Sequence, residues 1–201
     1  MNKLTLLACI IFLGVSSAYA HLGHEREFWL DEIEKTERLA SYPSTTGLGK
    51  YLNHGSKEEK HKTVETIAEV IKSNPKKLLI MNMNTNNPHD ADYRVYLTNN
   101  ILDALIYNHT IENLYLSNLN TPSVLQIAKI LKTNKTIKRI GLDDADFDND
   151  GAIAIAEALK QNNTLLEFSM ENNKFSMASR NAIKKAWSSN QVANRVKEIQ
   201  F

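Results

Sequence analysis

Five segments of this chain share one spacing of apolar residues and close on asparagine, and that repetition limits the fold more than any other feature. They are "IAEVIKSN", "ILDALIYN", "IAKILKTN", "IAEALKQN" and "AIKKAWSSN", ending at Asn74, Asn108, Asn134, Asn162 and Asn190, so successive copies are 34, 26, 28 and 28 residues apart. The seventh residue before each asparagine is Ile67, Ile101, Ile127, Ile155 or Ile183. The fourth is Val70, Ala104, Ile130, Ala158 or Ala186, and the third is Ile71, Leu105, Leu131, Leu159 or Trp187. Positions i, i+3 and i+4 share one side of an α-helix, so each copy predicts a helix with one buried stripe.

A second pattern, apolar-x-x-apolar-x-apolar, follows each asparagine. It reads Leu78/Met81/Met83, Ile111/Leu114/Leu116, Ile137/Ile140/Leu142, Leu165/Phe168/Met170 and Val196/Ile199/Phe201. Its last two apolar residues alternate as a strand does, with the residue between them on the opposite face. Each unit is then a short strand, a turn and a helix, and none can bury its apolar side without a neighbour. Strands joined by helical crossovers of this length run parallel.

These units resemble leucine-rich repeats of the ribonuclease-inhibitor type. The copy "LLEFSMENNKFSMASRNAIKKAW" is also similar to repeats of tropomodulin-like proteins. The resemblance covers residues 63–201 and implies an α/β leucine-rich-repeat solenoid, a short curved horseshoe of about five units. Its strand-to-loop asparagine stands at Asn86 and Asn173 but is replaced by Leu119 and Ala145, so the turns differ between copies. Residues 21–62 form the expected N-terminal cap: a helix over 25–41 with Phe28, Trp29, Ile33, Thr36 and Ala40 on one side, then a linker punctuated by Pro43, Gly47, Gly49 and Gly55. Within that linker "GLGKY" fails as a phosphate loop, because Ser44 and Tyr51 occupy the first glycine and the magnesium-binding hydroxyl positions.

Residues 1–20 read as a secretory signal. Lys3 precedes the apolar run Leu4 to Val15, and Ala18-Tyr19-Ala20 supplies the cleavage pattern, so the mature chain is expected to begin at His21. Removing Lys3 from 24 basic residues leaves 23, which equals the acidic count, and Cys9, the only cysteine, departs with the signal. The mature protein is therefore expected to be periplasmic or secreted, without disulfides or a membrane span. Its charges are interspersed, which argues against nucleic acid as a partner.

"DFDNDGAIAIAE", residues 146–157, places Asp146, Asp148, Asp150 and Glu157 at calcium-loop positions 1, 3, 5 and 12. The repeat register favours another reading. A strand precedes the segment where an EF-hand needs a helix, Phe147 aligns with Phe175 as a buried loop residue, and Asp150 caps the helix before Gly151. No cofactor and no metal is expected. Asn108-His109-Thr110, Asn134-Lys135-Thr136 and Asn162-Asn163-Thr164 match glycosylation acceptors, yet each asparagine also ends a helix, where a left-handed conformation is favourable. His21 with His24, and His89 with Asp90 and Asp92, are read as solvated tail and loop. The mature chain carries no cysteine nucleophile, HExxH or GxSxG motif, so no enzyme is expected.

The function expected is binding of a partner protein on the concave sheet face. Three rows of outward side chains would carry it: Asn82, Tyr115, Gly141, Ser169 and Gln200; Ile80, Asn113, Arg139, Glu167 and Glu198; and Asn84, Ser117, Asp143 and Glu171. Tyr115 and Arg139 are residue types enriched at energetic hot spots. Two other classes stay open at this point. One is an exported hydrolase or metal-dependent factor with its site in 21–62 or on the loop edge. The other is an envelope protein that self-associates through its terminal strands rather than staying a monomer.

Overall fold

The computed structural model describes residues 26–36, 38–40, 55–75, 80–84, 91–117, 119–189, 199 and 201. The signal segment, most of the linker, the loop at 85–90 with His89 and Asp90, and Val196, Glu198 and Gln200 lie outside the described residues. Helices and strands alternate: α1 (Arg26–Thr36), β1 (Arg38–Ala40), α2 (Lys57–Lys72), β2 (Ile80–Asn84), α3 (Ala91–Ile106), β3 (Asn113–Ser117), α4 (Thr121–Thr133), β4 (Arg139–Gly141), α5 (Asn149–Gln161), β5 (Glu167–Ser169) and α6 (Met177–Ser189). The strands form one parallel sheet in chain order, β1-β2-β3-β4-β5. This is a leucine-rich-repeat-like α/β arrangement, with each strand beside the one a repeat earlier.

The stripe that defines the repeats is the core. All fifteen stripe residues, from Ile67 in α2 to Trp187 in α6, are at most 3% exposed. Ile111, Leu114 and Leu116 meet them around β3, as do Ile137, Ile140 and Leu142 around β4 and Leu165, Phe168 and Met170 around β5. Full burial of one such side chain contributes about 1.5–3 kcal/mol, and each unit buries its set only against the next. Among the described residues no helix is long and apolar enough to cross a membrane.

Four expectations are corrected. The helix over 25–41 stops at Thr36, because Arg38, Leu39 and Ala40 pair with Ile80, Met81 and Asn82. The open edge of β2 gives that backbone partners that a last helical turn could not. The cap of α5 is Asp148, not Asp150: its Oδ1 accepts from the backbone N–H of Asp150 (3.1 Å) and Gly151 (3.2 Å). Asn134 and Asn162 are extended rather than left-handed, at φ −68° and −79°, whereas Asn74 is left-handed at φ 54°. Finally, Ile199 and Phe201 lie in no strand, although Ile199 is buried and the Phe201 ring stands edge-on to Phe175 at 6.1 Å.

The asparagines of the repeat join one unit to the next. Asn108 Nδ2 donates to Ile71 O (2.8 Å), Asn134 Nδ2 to Asn108 O (3.1 Å) and Asn162 Nδ2 to Leu131 O (2.8 Å). Each Oδ1 accepts from two backbone N–H groups of its own helix-to-strand turn, those of Ile111 and Thr110, Ile137 and Thr136, and Leu165 and Thr164. The three side chains are 1%, 5% and 0% exposed. An amide has both donor and acceptor, so one side chain serves the two N–H groups of its turn and the neighbouring carbonyl together.

Candidate functional site on the outer face of the sheet

Alternation along each strand sends Leu114, Ile140 and Phe168 into the core and their neighbours outward. The register fixes which strand positions sit side by side. Asn82 pairs with Tyr115, Tyr115 with Gly141, and Gly141 with Ser169. In the adjoining row Ile80, Asn113, Arg139 and Glu167 are successive partners. Asn84 pairs with Ser117. The expected rows are thus real rows wherever strand pairing extends.

Tyr115 is the prominent member, 39% exposed at the middle of the sheet. Its ring lies against the bare backbone of Gly141: a Cβ there would stand 2.9 Å from Tyr115 Cδ1 and 3.7 Å from Asp143 Oδ2. Glycine at that point of the row is what lets the ring lean over β4. Beside it, Arg139 Nη1 donates to Asn113 Oδ1 (3.1 Å), and Arg139 Nε lies 2.9 Å from Glu167 Oε1. The hydrogen bond and charge of Glu167 raise the pKa of the Arg139 guanidinium above its ordinary value. Lys138 and Glu112 form a second pair at 2.7 Å, from the residues just before β4 and β3. Exposed pairs of this kind contribute only about 0–1 kcal/mol each, so their effect is to position side chains.

At the other end of the strands Asp143 accepts from the Ser169 hydroxyl and from the Glu171 backbone N–H at 2.6 Å. Asp143 and Ser169 are half-buried, and Glu171 is exposed. The face therefore presents one ring, one buttressed guanidinium and three carboxylates, those of Asp143, Glu167 and Glu171. Asn113, Tyr115, Arg139, Glu167, Ser169, Asp143 and Glu171 come together; Ser117 sits on β3 beyond Tyr115, and Asn82 joins through its strand register.

The four calcium-loop carboxylates have separate surroundings. Asp146 is left-handed at φ 48° and pairs with Lys174. Asp148 caps α5, and its pKa is lowered chiefly by the Gly151 N–H. Asp150 lies in the first helical turn, and Glu157 pairs with Lys160 on the exposed side of α5. Gly151 is helical: a Cβ there would meet Phe147 at 3.0 Å and Val124 at 3.3 Å, so the glycine admits the Phe147 ring that stacks on Phe175 at 5.2 Å. Among the described residues no group of three or more His, Cys, Asp or Glu side chains is placed to hold a metal ion.

No family model and no curated protein matches the chain. Among solved structures, one titled "Leiomodin-1 Actin-Binding Site 2 (ABS2)" is similar, with a TM-score of 0.57 and 24% sequence identity, covering 74% of this chain and 82% of that one. At that identity the likeness defines a fold, and the fold is leucine-rich-repeat-like.

Proposed function

We propose that this protein is an exported protein–protein interaction module, a leucine-rich-repeat solenoid of the ribonuclease-inhibitor type that grips a partner protein on its concave sheet face. The observation that carries the reading is Tyr115, a half-exposed ring held on Gly141 and flanked by the Asn113–Arg139–Glu167 chain. An aromatic side chain ordered before binding loses little entropy when a partner covers it, which is why such groups dominate interface energies. The similar structure is, by its title, an actin-binding site, which supports a protein as the class of ligand. Among the described residues around this face, Arg139 and Lys138 are set against Glu112, Asp143, Glu167 and Glu171, so the face favours a partner that presents basic side chains.

Export rests on the leader-like residues 1–20, with maturation at His21 and a periplasmic or secreted monomer as product. Residues 21–62 would cap the first repeat of the 63–201 domain, a reading supported by the burial of Trp29 and Ile33 in α1. Affinity capture with the mature chain tests the binding face. Tyr115→Ala and Arg139→Ala should each weaken the captured partner by roughly 1–4 kcal/mol with little loss of stability. Gly141→Val should weaken it as well by displacing the ring. Lys132→Ala and Lys160→Ala, on the exposed sides of α4 and α5, should not. Capture lost with the lysine variants and kept with Tyr115→Ala and Arg139→Ala would put the partner on the helices instead.

A further inference from the structure

We propose that repeat stacking and N-glycosylation are mutually exclusive at Asn108, Asn134 and Asn162, so the chain matures only along a route that adds no glycan to Asn-x-Thr. Each of the three sites has the sequence a glycosylating enzyme recognises. Transfer would form a bond between the sugar C1 and Nδ2. It would break the bond from C1 to the lipid-pyrophosphate carrier and release one Nδ2 proton.

Nδ2 is the atom that ties each repeat to the one before. Both Asn108 Nδ2 hydrogens are engaged, by Ile71 O at 2.8 Å and Thr110 Oγ1 at 3.1 Å. Asn134 and Asn162 donate to Asn108 O and Leu131 O, carbonyls that belong to the preceding helical unit. With exposures of 1%, 5% and 0%, a sugar on any of the three would have to lie inside the seam between two units. The seams α2–α3, α3–α4 and α4–α5 are consecutive, so a glycan in one parts the stack on both sides. The middle residues of the sites, His109, Lys135 and Asn163, are exposed, so each turn faces solvent while its asparagine faces inward. Modification could therefore happen only before folding. Enzymatic removal that leaves aspartate would not restore the seam, because a carboxylate has no N–H to donate.

The test is translation of the whole chain into glycosylating microsomes, with and without an inhibitor of glycan-precursor assembly. Lectin binding separates modified from unmodified chains, peptide mapping locates the glycan, and limited proteolysis reports folding. The modified pool is expected to be cleaved throughout residues 63–189 at least tenfold faster than the inhibitor-treated pool. A pool carrying a glycan on Asn108, Asn134 or Asn162 with undiminished protease resistance would overturn the exclusion. In the arm without inhibitor, chains that cross the microsomes wholly unmodified and fold would overturn the restriction on route.

Discussion

Replacing Asn134 with alanine isolates the lateral tie between repeats. The side chain is 5% exposed and serves Asn108 O on one side and the N–H groups of Thr136 and Ile137 on the other. Thr136 is half-buried, so water can reach its N–H once the amide is gone. Asn108 O and the Ile137 N–H are buried and would be left without partners. At ~1–3 kcal/mol for each buried orphan, the loss is about 2–6 kcal/mol. A chain of this size loses ~2–4 °C of melting temperature per kcal/mol, so a fall on the order of 10 °C is expected. The control is Asn163→Ala, which removes an exposed side chain contacted by Lys135 at 3.0 Å and should stay within about 0.5 kcal/mol. Thermal unfolding followed by circular dichroism reads both. If Asn134→Ala melts together with Asn163→Ala, the asparagine tie contributes nothing and the reasoning fails.

Leu131→Ala empties a stripe position of α4 that is 0% exposed and should cost ~2–5 kcal/mol; unchanged thermal stability would contradict the assigned register. Asp148 should make stability pH-dependent. Its folded pKa is depressed, so its contribution is present in neutral solution and fades as pH falls through the folded value. The melting difference between wild type and Asp148→Ala should accordingly shrink in acid, and a difference that grows there would be the wrong sign. Millimolar calcium should leave the melting temperature unchanged, since a site filling by mass action would raise it with concentration. A rise abolished by Asp146→Ala would restore the calcium loop.

The repeats were legible because their signal is periodic and summed over copies. Ile127, Ile130 and Leu131 announce one helix face, and the same spacing in four other segments removes the ambiguity of any single one. The strand register followed from it, which is why Asn113, Arg139 and Glu167 were aligned correctly. What stayed hidden depends on partners distant in sequence. Ala40 suits a helix stripe or a strand equally, and only the β2 edge decides between them. Asp146, Asp148 and Asp150 are all good capping residues, and the choice of Asp148 turns on where the Phe147 ring settles beside Gly151. The asparagines are legible as helix ends, but the carbonyl that each holds lies 26 to 37 residues back along the chain. The seat of Tyr115 on Gly141 was likewise unreadable, because a row position shows which residues adjoin and not which way a ring leans.

The central claim is that a partner covers the outer face of the sheet, and two tyrosines in one molecule test it directly. Tyr115 stands on β3 at 39% exposure, and Tyr107 stands just past the end of α3 at 61%. A tyrosine-selective reagent applied to the free protein and to the captured complex, with mass spectrometry of each modified peptide, compares the two rings under identical conditions. The account predicts that Tyr115 loses its reactivity in the complex while Tyr107 keeps it. Protection of Tyr107 with Tyr115 still reactive would contradict it.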